Sequence, residues 1–65
     1  MKERYERIIR QITMLEEQNF AKSIFCSEHN FELEAQKFRE IEKQLKEVRF
    51  FVSSEMREMH ENTPA

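Results

Sequence analysis

The chain has 65 residues, a formal net charge of −2, no glycine, and a single proline, Pro64. A chain this short buries only about 60% of the surface it exposes when unfolded, and one cysteine, Cys26, excludes an intramolecular disulfide as a staple. The charge balance gives no electrostatic case for a nucleic-acid or membrane partner, no apolar run exceeds three residues, and the scarcity of turn residues excludes a sheet protein.

What the composition favours is helix. Charged residues make up 37% of the chain and are Glu, Lys and Arg, all good helix formers, with no aspartate. The expected fold class is all-α: an antiparallel helical hairpin of two long amphipathic helices, forming a single domain.

The first helix is expected over residues 2–26. Tyr5, Ile8, Ile9, Ile12 and Leu15 make one apolar face, and Glu3–Arg7 and Glu6–Arg10 stand at the spacing that supports helical ion pairs. After the polar run Glu16 to Asn19, the stripe resumes with Phe20 and Ile24 at a shifted phase. One unbroken coiled-coil helix would need a stutter there, an insertion of about four residues. A hairpin accounts for the change more simply. Asn19 falls on the seam, where a buried polar residue can fix register at some cost in stability.

The bend is expected at residues 27–30. Ser27 is a candidate cap for the second helix, with Cys26 and Phe31 packing across it; Asn30 is a candidate cap or a left-handed terminator of the first helix. Cys26 and His29 have the spacing of half a metal site. The other half is missing, because His60 lies roughly 45 Å away along the second helix at 1.5 Å per residue. Only a metal-linked dimer would complete it, so the expectation is no metal and no cofactor. Cys26 has no evident orienting partners for nucleophilic catalysis, and the chain has no glycine-rich phosphate loop. An enzyme acting on a small-molecule substrate is therefore not expected.

The second helix is expected over residues 31–61. Phe31, Phe38, Leu45, Val52 and Met59 recur every seven residues, Ile41 and Val48 fall between them, and Ala35 and Met56 widen the stripe. Glu34 and Glu55 take the two remaining seam positions. Pro64 disfavours helix just before it, so a short disordered tail is expected at 62–65. Folding at the bend sets Tyr5 against Val52, Ile9 against Val48, Ile12 against Leu45 and Cys26 against Phe31.

Two helices alone cannot enclose a core, whereas two hairpins can, as a four-helix bundle. A homodimer is expected, with the core or dimer seam drawn from Tyr5, Ile8, Ile9, Ile12 and Leu15, then Phe20, Ile24, Phe31, Phe38 and Ile41, then Leu45, Val48, Val52 and Met56. Phe50, Phe25, Met14 and Leu33 fall off that seam and are candidate contacts for another protein. The expected role is a non-enzymatic protein–protein interaction module, a small adaptor, chaperone or regulator in the cytoplasm. The alternative is a dimeric bundle binding RNA or DNA through a basic stripe of Arg4, Arg7 and Arg10. A lone thiol fits a reducing compartment, and no membrane association is expected.

Overall fold

Strong helix formers without internal glycine or proline give two long helices, α1 from Lys2–Glu28 and α2 from Glu32–Glu61, of 27 and 30 residues. The computed structural model describes residues 2–61, with residues 2, 60 and 61 described by their backbone alone. The tail expected at 62–65 lies outside the described residues. The two helices lie side by side as a hairpin measuring 55 × 15 × 10 Å, and no strand occurs among the described residues.

The bend is a local device built from six residues. Asn30 takes the left-handed conformation, with φ of 64°, which its short polar side chain tolerates better than a branched one. The Phe31 amide then donates to the Cys26 carbonyl at 2.7 Å and the Asn30 amide to the Ser27 carbonyl at 3.3 Å. These two bonds satisfy carbonyls that the end of α1 would leave open, the pattern of a Schellman cap. Directly afterwards the Phe31 carbonyl accepts the Ala35 amide at 2.9 Å, so α2 starts without a spacer. Glu32 and Glu34 in its first turn suit the positive end of the helix dipole.

Helix α1 thus runs two residues further than the sequence suggests and α2 starts one residue later. Ser27 lies inside α1 and caps nothing on α2. The terminator is Asn30.

The seam also differs from the expected one. In α1 the buried or half-buried residues include Tyr5, Ile9, Ile12, Glu16, Asn19, Ser23 and Cys26; in α2 they include Ala35, Phe38, Glu42, Leu45, Arg49, Val52 and Met56. Both sets step by threes and fours without interruption, so α1 carries an unbroken heptad and has no phase change. The polar run that looks like a gap is the seam itself. Ile8, Leu15, Phe20, Ile24, Phe31, Ile41 and Val48, all expected inside, are 40–52% exposed in the hairpin.

Polar residues can occupy the seam because their hydrogen bonds are met locally. The Asn19 amide donates to the Leu15 carbonyl at 2.8 Å, and the Ser23 hydroxyl donates to the Phe20 carbonyl at 2.6 Å. Glu16, 6% exposed, is the exception that reaches across: it accepts Arg49 Nε at 2.6 Å and Nη2 at 3.3 Å. The alignment of Cys26 with Phe31 would have set Ile41 opposite Glu16, so the facing pairs are displaced from the expected ones. Near the bend the small side chains of Ser23, Cys26 and Ala35, at 2%, 9% and 1% exposure, fill the seam. No side-chain nitrogen or oxygen is buried without a partner among the described residues.

Candidate interaction surface

The seam fixes where every other side chain points. Ile8 and Leu15 immediately precede the seam residues Ile9 and Glu16, and Ile41 and Val48 immediately precede Glu42 and Arg49. All four therefore occupy the heptad position called g. The dyad relating two antiparallel helices is normal to the plane they share, so equal heptad positions of α1 and α2 emerge on the same flank. That flank is the broad face of the hairpin. It presents Ile8 at 40%, Leu15 at 45%, Ile41 at 42% and Val48 at 50% exposure.

Along the flank the two helices contribute alternately. From the open end toward the bend the order is Glu55, Ile8, Val48, Leu15, Ile41 and Lys22. The Lys22 ammonium lies 5.8 Å from the centroid of the Phe38 ring, which places it on the bend side of Ile41. Glu34 stands beyond it, at the start of α2. Four aliphatic side chains are thus bracketed by a carboxylate at one end and an ammonium at the other. Phe51, 64% exposed, stands at the rim on the α2 side.

The off-seam candidates are exposed but dispersed. Phe50 is 75%, Leu33 72%, Phe25 57% and Met14 52% exposed. Met14 and Leu33 occupy the backs of α1 and α2, facing away from the seam. Phe50 lies on the side of α2 opposite the aliphatic flank. Phe25 belongs to the bend, where its ring stacks on His29 with centroids 4.2 Å apart.

The two candidate ligands at the bend lie in different surroundings. Cys26 is buried in the seam. His29 is exposed, stacked between Phe25 and Phe31, with Nδ1 2.9 Å from the Phe25 carbonyl oxygen. No cluster of three metal-ligating side chains occurs among the described residues. A depression beside the bend is lined by Ser27, Glu32, Ala35, Gln36 and Arg39.

Arg4, Arg7 and Arg10 are exposed along the outer side of α1. The ion pairs among the described residues are Glu16–Arg49 and a weak Glu42–Lys46 contact at 4.0 Å. The expected Glu3–Arg7 and Glu6–Arg10 pairs do not close. No helix among the described residues is long and apolar enough to cross a membrane.

Lys22 and Glu55 have significance only as the ends of a strip. The signal that finds them is the heptad counted outward from the small residues Ser23, Cys26 and Ala35, instead of from the large apolar ones. Comparison with known proteins adds no relative: no family model, curated protein or solved structure matches the chain.

Proposed function

We propose that the protein is a non-enzymatic protein–protein interaction module, a helical hairpin that self-associates through its aliphatic flank. One observation carries this reading. Among the described residues the buried apolar ones are Ile12, Cys26 and Ala35, while Ile8, Leu15, Ile41 and Val48 stand exposed at equivalent heptad positions. A hairpin that buries so little is marginal alone, and covering the flank supplies the missing apolar burial. Adaptor, chaperone and regulator are the roles that suit such a module.

Sedimentation of the purified chain tests it. The expected mass exceeds one chain, and Ile41→Asp returns it to one chain with loss of helicity. A monomeric mass at every concentration, with helicity untouched by Ile41→Asp, refutes the reading. Phe50, Phe25, Met14 and Leu33 are candidate contacts for a further protein, and Phe50→Asp is expected to leave self-association intact. Loss of association in Phe50→Asp would move the docking role to that side of α2.

A second reading rests on the unneutralised arginines. Arg4, Arg7 and Arg10 form no ion pair among the described residues and line one exposed side of α1. RNA or DNA held by that stripe would bind with an affinity that falls steeply with salt. Absence of binding at low salt removes this reading.

A further inference from the structure

We infer that the flank is covered by a second copy of this chain packed antiparallel to the first, with its bend against the other's open end. The inference rests on the self-association proposed above and adds its geometry. A twofold interface is isologous, so the same strip must be complementary to itself. Two face-to-face arrangements satisfy a dyad. In one the hairpins run parallel, bends together; in the other they run antiparallel.

The order of the strip chooses between them. Reversed end for end, Glu55, Ile8, Val48, Leu15, Ile41 and Lys22 falls on itself with opposite charges matched. The central layer holds Leu15 and Val48 from both copies. Each outer layer holds Ile8 and Glu55 of one copy beside Ile41 and Lys22 of the other. The carboxylate therefore meets the ammonium at both ends of an aliphatic centre. A parallel pair would instead set Glu55 against Glu55 and Lys22 against Lys22, two like-charge contacts at the edge of an apolar patch.

The strip from Glu55 to Lys22 runs about 24 Å at 1.5 Å per residue and is centred near the middle of the hairpin, so reversing one copy about that centre keeps the two hairpins overlapped along most of their length. The g positions, added to the seam, also give each helix the wider apolar stripe that a four-helix core requires.

Cross-linking between singly substituted chains tests the arrangement, in a Cys26→Ser background with a short bifunctional thiol reagent. In the antiparallel dimer Ile8 of one copy shares a layer with Ile41 of the other, while the two copies of Ile8 lie roughly 18 Å apart along the strip at 1.5 Å per residue. A mixture of Ile8→Cys and Ile41→Cys chains is expected to cross-link, and Ile8→Cys alone is not. Cross-linking of Ile8→Cys to itself overturns the antiparallel arrangement. No cross-link in either sample from a chain that sediments as a dimer overturns the flank as the interface. A monomeric mass of the unmodified chain instead removes the self-association beneath the inference.

A charge exchange gives a second measurement that leaves the aliphatic centre unaltered. Lys22→Glu is expected to weaken the dimer about tenfold, since symmetry repeats each end contact twice. Adding Glu55→Lys is expected to restore it. Failure of the double variant to recover affinity overturns the pairing of these two residues.

Discussion

Removing the two ends of the Glu16–Arg49 pair should have unequal consequences, and the inequality follows from burial. The Glu16 side chain is 8% exposed and the Arg49 side chain 40%. In Arg49→Leu the carboxylate stays buried with neither of its two donors. Breaking a fully buried pair costs about 3–5 kcal/mol, and the water that reaches this guanidinium lowers the expected loss to about 2 kcal/mol. In Glu16→Leu the guanidinium turns outward to solvent, and the new leucine adds apolar burial, so the net loss stays below about 1 kcal/mol. The double variant, an apolar layer in place of an ionic one, should return to within about 1 kcal/mol of the unmodified chain. For a chain of this size, 2 kcal/mol moves the thermal midpoint by roughly 8–16 °C. Melting followed by circular dichroism reads this directly, at one fixed protein concentration, since the proposed self-association would make the midpoint concentration-dependent. Equal losses from the two single changes, adding without coupling in the double, would refute the idea that a buried carboxylate depends on Arg49.

Three further outcomes follow from the bend and the seam. Asn30→Gly should preserve or raise stability, whereas Asn30→Val, forced to positive φ, should lose about 1–2 kcal/mol in denaturant titration; equal midpoints would mean the left-handed turn is not required. Ala35→Leu should cost about 1–3 kcal/mol by overpacking a position that is 1% exposed, and a neutral result would show that the helices part easily beside the bend. Cys26 should react with a thiol reagent far more slowly in the native protein than in denaturant, at a rate that follows local opening. Native labelling as fast as in denaturant would contradict its burial in the seam.

The two helices were legible in the sequence, because α2 advertises its heptad through Phe38, Leu45 and Val52 and no glycine or proline interrupts either one. The bend between them was reached through a phase change within α1 that the structure does not contain. Asn30 was legible as a left-handed terminator through its side-chain type. The seam of α1 was not. Apolar periodicity assigns the inside to the most hydrophobic stripe, and here Ile8, Leu15 and Ile24 outbid Glu16 and Ser23 on that criterion, while Asn19 alone of the polar seam residues was expected there. Two physical facts reverse the assignment. Side-chain hydrogen bonds to the preceding turn let Asn19 and Ser23 stay inside without a partner on α2. The Glu16 carboxylate, in turn, meets a cation thirty-three positions away, a contact no local pattern reports. The flank was visible only as leftover hydrophobicity; its grouping depends on the seam, so an error in one becomes an error in the other.

The six-residue bend also bears on the order in which the chain folds. Its hydrogen bonds join residues no more than five apart in sequence, so it forms without waiting for distant contacts. Closing it first leaves each successive layer of the seam a loop already shortened by the layer before, so the expected order is zipping outward from Cys26 and Ala35 toward Tyr5 and Met56. Such a nucleus places the kinetic burden at the middle of the chain. Substitutions around Asn30 should slow folding, while substitutions beside Tyr5 and Met56 should chiefly hasten unfolding. The open end of the hairpin, around Tyr5 and Met56, is then the clasp that sets how long the closed form survives.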